Sequence, residues 1–258
     1  MKIFIVLPTY NEAENIASLV HQIFSLYPDI YIIVVDDNSP DETGEIADTL
    51  SKKYHHLSVI HRPKKGGLGT AYVCGFKKAL SFGAQLMLEM DADFSHDPGY
   101  IKDLIEAAKK ADVVIGSRYI KGIRVVGWPF RRLLLSKLAN IYVSYIMVKP
   151  VRDSTSGFRC YRREVLKRIH LENIWSDGYA FQIEMTYLAF KHGFRVIEVP
   201  ITFMEREHGV SKISRKVVLE AFWITLRCHA PIFKIIKHLF KFRYYRDIFN
   251  EYYISLDK

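Results

Sequence analysis

Residues 86–96 read LMLEMDADFSH, and the way this run ends decides how the chain is built. A short stretch of strand type stops at Asp91-Ala92-Asp93, leaving two carboxylates one residue apart where the chain quits a sheet. Taken alone, Asp-x-Asp after a strand is usually a solvated turn. Beyond a sheet, however, two Asp side chains at i and i+2 can converge on a hard divalent cation, which takes one or two carboxylates plus phosphate oxygens and water. The other strand ends discriminate between these readings.

Working outward, short β-branched runs recur at 3–7, 31–35, 57–60, 113–115 and 195–199. Between them lie helical patterns such as Ile16, Leu19, Val20, Ile23, Phe24 and Tyr27, spaced i, i+3, i+4, i+7. The alternation predicts an α/β fold, a mostly parallel sheet with flanking helices. Such sheets bind ligands beyond the carboxyl ends of their strands. There the first run gives Pro8-Thr9-Tyr10-Asn11-Glu12, and the second gives Asp36-Asp37-Asn38-Ser39-Pro40-Asp41. Acidic groups thus gather on one edge, a costly arrangement unless a cation or hydrogen-bond donors sit among them.

At 258 residues, 49% hydrophobic and 25% charged, the chain has globular composition. Cys74, Cys160 and Cys228 have neither metal-site nor disulfide-framework spacing and read as reduced residues of a cytosolic setting. The opening Met1-Lys2-IFIVL is too short for a signal peptide. Spanning helices are not expected: Lys137 and Asn140 interrupt 133–148, and Glu220, Arg227, His229, Pro231, Lys234 and Lys237 interrupt 217–239. A net charge of +9 asks for an anionic partner. With no recognised nucleic-acid motif, that partner is not expected to be nucleic acid.

PTYNE (8–12), VVDDNSPD (34–41), RPKKGGLGTAY (62–72), MDADFSHDP (90–98), GSRY (116–119) and DSTSGFRCY (153–161), in this order, resemble the family 2 glycosyltransferases of the GT-A fold. Among these, they are similar to the polyprenol (dolichol) phosphate mannose synthases. The resemblance implies a GT-A-like (nucleotide-diphospho-sugar transferase) domain at 1–215 and a C-terminal amphipathic helical tail at 216–258. It also implies transfer of mannose from GDP-mannose to a polyprenyl (dolichyl) phosphate with inversion, giving a β-linked product and GDP. Two alternatives stay open: the same reaction with UDP-glucose or another nucleotide sugar, and an inactive subunit that recruits a partner enzyme. A dinucleotide dehydrogenase is excluded, since no G-x-G-x-x-G follows a strand. The GGLGT loop at 66–70 follows the third strand and reads as structural, its glycines allowing a tight entry to a helix.

Carried over by position, Pro8, Tyr10, Glu12, Val35 and Asp37 would contact the base and ribose. Asp91, Ala92 and Asp93 would meet the donor, with Asp91 and Asp93 holding Mg²⁺ or Mn²⁺. Arg206 and Lys212 would grip the diphosphate, and Arg118, Arg132 and Ser136 the acceptor phosphate, with Arg118 joining Asp91 and Asp93 as catalytic. Ser95 stands where some relatives carry a Gln metal contact. Asp153, Ser156 and Arg159 line the neighbouring segment in relatives. A phosphate acceptor, with a second pKa of about 6, is already largely dianionic at neutral pH, so no dedicated general base is required.

From Lys212 onward ten Lys or Arg stand against four acids. Ile232, Ile235, Ile236, Leu239 and Phe240 share a helical face opposite Lys234, Lys237 and Lys241, and aromatic residues follow. This is the pattern of an interfacial helix. It predicts peripheral docking on the cytoplasmic face of a membrane, by the tail alone or with a small membrane protein partner.

Overall fold

The computed structural model describes residues 1–147, 151–174 and 176–205. Its first half alternates strand and helix: β1 (Ile3–Thr9), α1 (Ala13–Leu26), β2 (Tyr31–Asp36), α2 (Thr43–Lys53), β3 (Leu57–His61), α3 (Leu68–Ser81), β4 (Leu86–Glu89), α4 (Ile101–Ala107) and β5 (Val113–Ser117). The second half adds β6 (Val125–Val126), α5 (Phe130–Met147), β7 (Arg159–Arg162), α6 (Arg163–Ile169), α7 (Gly178–Lys191), β8 (Val196–Pro200) and β9 (Phe203–Met204). Seven strands form one sheet in the order β3-β2-β1-β4-β7-β5-β8, and β6 pairs with β9 apart from it. All six strands expected from the sequence are present. The boundary near 215 and the tail lie outside the described residues.

Alternation along the central strands feeds two apolar layers. Ile5, Leu7 and Leu88 pack with Ile16, Leu19, Val20 and Ile23 of α1 and Ile101 and Leu104 of α4. Phe4, Val6 and Met87 face Ala71, Tyr72 and Phe76 of α3 and Phe181 and Met185 of α7. Each such side chain contributes about 1.5–3 kcal/mol on burial, so the sheet centre is the best-anchored part of the molecule. Consequently β1, β2 and β4 present their carboxyl ends at fixed positions.

The sheet is not wholly parallel. β7 runs antiparallel between β4 and β5, pairing Leu88 with Cys160 on one side and Val114 with Cys160 on the other. Its RCYR sequence carries no β-branched run, so periodicity does not announce it. Both faces are nevertheless covered: Cys160 joins the first layer and Tyr161 the second. Arg162 reaches out to the carbonyls of Ala108 and Ala111 at 2.9 and 3.1 Å. Burial pushes the Cys160 thiol up to about 12, so it is a protonated core residue.

Helix α3 lies close on the sheet at Gly75, where an added Cβ would stand 2.3 Å from Val6 Cγ1 and 3.2 Å from Val35 Cγ2. Gly75→Val is expected to destabilise the fold by about 1–3 kcal/mol or more through overpacking, read as a lowered urea midpoint. An unchanged midpoint would contradict this packing.

Candidate active site

Beyond the carboxyl ends of β1, β2 and β4 lies a cavity of about 330 Å³. Pro8, Tyr10, Glu12, Asp37, Asp91, Ala92, Asp93 and Arg132, all singled out from the sequence, line it. Strand β1 delivers the first three. Asp41 and Thr43 then receive the N–H groups of Ala13 and Glu12 at 3.1 and 2.9 Å, so the chain after β1 is fastened to the chain after β2.

Asp37 is buried at the mouth of the Gly-rich loop. Its Oδ2 accepts the N–H groups of Gly66 and Gly67 at 3.0 and 3.2 Å. Arg62 Nη1 approaches Oδ1 to 2.8 Å as an ion pair, yet Oδ1 receives no hydrogen bond of good geometry. Burial raises the Asp37 pKa, against the opposing pull of the Gly66 N–H and Arg62. A buried acceptor oxygen on a cavity wall suits a hydroxyl or N–H of a ligand. The loop is therefore more than a helix entry. Lys65, Gly67 and Leu68 line the cavity, and Lys65 Nζ lies 3.5 Å above the Tyr10 ring. Gly67 is required there: its φ is +94°, and a Cβ would fall 2.2 Å from Asp177 Oδ2.

The Asp91–Asp93 turn is built with strain. Phe94 has φ 60°, a left-handed conformation uncommon for a bulky residue. Ser95 holds the turn, donating both its N–H, at 3.1 Å, and its hydroxyl to Asp93 Oδ1. Ser95 thus orients a carboxylate. His96 Nδ1 accepts the Asp91 N–H at 3.3 Å, and the Tyr72 phenol donates to Asp91 Oδ1 at 3.2 Å. Burial first, and then Asp91 and Glu89, raise the Tyr72 pKa and keep it a neutral donor. A Cβ at Gly157 would stand 3.6 Å from both Asp91 oxygens, so the absent side chain leaves room beside that carboxylate. Among the described residues no three His, Cys, Asp or Glu groups converge. Two carboxylates and open space fit Mg²⁺ or Mn²⁺ only if ligand oxygens and water complete the shell, the arrangement usual for Mg²⁺.

Beneath the turn, Glu89 is fully buried and its pKa is pushed to about 7, by burial above all, against the lowering effect of Arg159. Tyr161 and Gln182 lie against it without full hydrogen-bond geometry. Gln182 lines the cavity together with Thr155, Gly157, Asp177, Gly178 and Tyr179, none of which the sequence reading selected as a ligand contact.

Arg118 is placed differently from the open phosphate contact expected of it. It is buried behind the cavity wall, giving Nε and Nη2 to Asp153 at 2.7 and 2.6 Å and Nη2 also to Thr155 at 2.8 Å. Burial works against its charge, but Asp153 overrides this and raises its pKa. Ser136 likewise lies off the cavity and takes a 2.7 Å hydrogen bond from the Tyr119 phenol. Val35 is buried in β2, and Arg159 is enclosed by Ser154, Ser156, Gln182 and Thr186. Arg206 and Lys212 lie outside the described residues.

Helix α5 buries Val143 against Ala180 and Ile183 of α7. Its inner face carries Arg132, Ser136 and Asn140. Asn140 ties the helix to the neighbouring loop, giving Nδ2 to Thr155 Oγ1 at 3.1 Å and accepting the Ser154 N–H at 2.7 Å. Its outer face exposes Phe130, Leu134, Leu138, Ile141 and Tyr145, the last 82% exposed.

The mostly parallel sheet, flanked by helices and with its cavity beyond the strand ends, is a fold of GT-A type. Residues 4–170 match the family described as Glycosyl transferase family 2, and the chain belongs to it. It is 48% identical over 219 residues to the polyprenol monophosphomannose synthase of Mycolicibacterium smegmatis, covering 84% of this chain and 83% of that one. It is 42% identical over 221 residues to the undecaprenyl-phosphate mannosyltransferase of Micrococcus luteus, covering 86% and 91%. Identity to the dolichol-phosphate mannosyltransferase of Pyrococcus furiosus is 40% over 225 residues, 85% of this chain and 61% of that longer protein. Among solved structures, glucosyl-3-phosphoglycerate synthase from Mycobacterium tuberculosis superposes with a TM-score of 0.67 at 18% identity, over 89% of this chain and 80% of that one. That structure holds Mn²⁺, UDP and glucosyl-3-phosphoglycerate.

The Glu89 proton makes stability depend on pH. Between the ordinary carboxyl value of 4.5 and about 7, the folded chain keeps a proton that the unfolded chain has released. This contribution is complete below the lower value and is lost as pH rises through the upper one. Glu89→Gln is expected to flatten that fall in unfolding free energy, measured by urea titration across the window. Parallel pH profiles for variant and wild type would contradict the assignment.

Proposed function

We propose that the protein transfers mannose from GDP-mannose to a polyprenyl (dolichyl) phosphate, releasing GDP. The observation that carries this reading is that three carboxylates, Asp37, Asp91 and Asp93, and a guanidinium, Arg132, line one and the same cavity. A diphosphate bridged to carboxylates by a divalent cation, next to a second phosphate on an arginine, uses both kinds of group. The names of the mannosyltransferase relatives support a polyprenyl phosphate as acceptor.

In this reading Pro8, Tyr10, Glu12 and Asp37 hold the nucleoside, with the Asp37 Oδ1 oxygen accepting from it. Asp91 and Asp93 would hold Mg²⁺ or Mn²⁺, which when bound supplies Lewis-acid neutralisation of the leaving diphosphate. Arg132 orients the acceptor phosphate as a guanidinium fork. Arg118 is a positioning residue, holding Thr155 at the cavity wall through Nη2. One acceptor oxygen forms the new bond to the anomeric carbon as the bond from that carbon to the diphosphate oxygen breaks, and attack opposite GDP inverts the configuration. The dianionic acceptor needs no proton removed. Neutral Tyr72 and fixed Ser95 keep the carboxylates oriented throughout, so little reorganisation accompanies the step.

A lipid-linked acceptor brings the enzyme to a bilayer. No helix among the described residues is long and apolar enough to cross one. Helix α5 offers a peripheral contact instead: the helix that places Arg132 in the cavity turns an apolar face outward, with Arg131 and Lys137 also exposed. The basic tail at 216–258 is the second expected contact, and a small membrane protein partner is compatible with both.

Label transfer tests the reaction. With Mg²⁺ or Mn²⁺ and a short-chain polyprenyl phosphate, label from GDP-mannose is expected in the lipid phase, and Asp93→Ala is expected to lower the rate by roughly a hundredfold or more, the scale of losing a principal electrostatic contact. Transfer from UDP-glucose instead would overturn the donor, and transfer from neither would overturn the reaction. For docking, Leu138→Glu combined with Ile141→Glu is expected to release the protein from anionic lipid vesicles in a sedimentation assay. Unaltered sedimentation would remove α5 from the contact.

A further inference from the structure

Arg132 meets a carboxylate already. Its Nη1 lies 2.6 Å from Glu205 Oε1, at the end of the β6–β9 ribbon. The ribbon is shaped to deliver this side chain. The Glu205 N–H donates to the Val126 carbonyl at 3.0 Å. Gly127, with φ +87°, leaves the space in which a Cβ would fall 2.7 Å from Glu205 Cβ. Trp128 supports the guanidinium from one face, its ring 4.0 Å from the Arg132 Cζ.

The contact is nevertheless incomplete. Arg132 Nε, Trp128 Nε1 and Glu205 Oε2 are each buried without a hydrogen-bond partner. A carboxylate matched to arginine would normally take a two-point fork, and here only one of the two parallel bonds is made. Two unspent N–H donors, with a Glu205 Oε2 that pairs with neither, describe a site for an anion whose oxygens are placed differently from those of Glu205. A phosphate monoester is such an anion.

We propose that Glu205 is a resident carboxylate that holds Arg132 in place when no acceptor is bound and yields it to the incoming phosphate, with Trp128 Nε1 and Arg132 Nε as the donors that the phosphate gains. The inference rests on the reading of Arg132 as the acceptor-phosphate contact. Glu205 then sets acceptor affinity. Its negative charge competes with the phosphate for one guanidinium, and its loss strengthens phosphate binding while leaving the donor side unaltered.

Steady-state kinetics with a short-chain polyprenyl phosphate separates the possibilities. Glu205→Gln keeps the shape and the backbone bond to Val126 and removes the charge. It is expected to lower the acceptor KM roughly three- to fivefold, the range of a partly exposed ion pair, with the donor KM unchanged. The Ki of free inorganic phosphate against acceptor is expected to fall by the same factor, showing that the phosphate group and not the lipid chain senses the change. Arg132→Met is expected to raise the acceptor KM at least about tenfold. If Arg132→Met does so while Glu205→Gln leaves the acceptor KM unchanged or raises it, the resident-carboxylate role is overturned and the phosphate contact stands. If Arg132→Met leaves the acceptor KM unchanged, the phosphate assignment itself is overturned.

Discussion

The guanidinium of Arg159 is the fixed point from which the rest of the site is hung. It is fully buried in the antiparallel strand β7 and donates to the carbonyls of Ser154, Ser156 and Gln182 and to the Thr186 hydroxyl, at 2.7 to 2.9 Å. Removing a guanidinium from water costs several kcal/mol unless its donors are spent and a counter-charge is near. Here its four hydrogen bonds meet the first need, and Glu89 meets part of the second. In exchange, the loop at 153–158 and helix α7 are bound to the sheet, which sets Thr155, Gly157 and Gln182 on the cavity wall.

The same economy of charge runs through the neighbouring parts. Five acidic side chains, Asp36 and Asp37 at the end of β2 and Glu89, Asp91 and Asp93 at the end of β4, crowd the two strand ends that flank β1, and each has its own relief. Asp36 accepts from Thr9 and Ser39. Asp37 takes two loop N–H groups and Arg62. Glu89 keeps a proton near neutrality. Asp91 accepts from the Tyr72 phenol and Asp93 from Ser95. Arginines are rationed in the same way: Arg159 and Arg118 serve the scaffold, while Arg132 alone among them reaches the cavity.

Much of this was legible in the sequence because it is local. Apolar runs ending in acidic turns located the first strands, and the residues just after β1, β2 and β4 proved to share one cavity. What was hidden depends on contacts far apart in sequence. Strand β7 begins and ends with Arg, a residue normally exposed, so its place at the sheet centre follows from partners rather than from pattern. Asp177 reaches the glycine loop through Gly69, 108 residues away, and Arg118 is claimed by Asp153, 35 residues away. The run at 130–147 mixes apolar and polar residues so evenly that its inner and outer faces are apparent only once the cavity is known. Lys65 could have been suspected, since a lysine before a Gly-Gly turn at a strand end is well placed for an anionic ligand.

In the proposed reaction Asp91 and Asp93 hold a divalent cation together with the donor diphosphate, so that neither is bound well without the other. Mn²⁺ titration followed by electron paramagnetic resonance, with and without GDP, measures this coupling directly. Weak Mn²⁺ binding to the protein alone, markedly tighter binding when GDP is present, and loss of that gain in Asp91→Asn are expected. Mn²⁺ binding that is indifferent to GDP, or a gain that survives in the variant, would contradict the proposal.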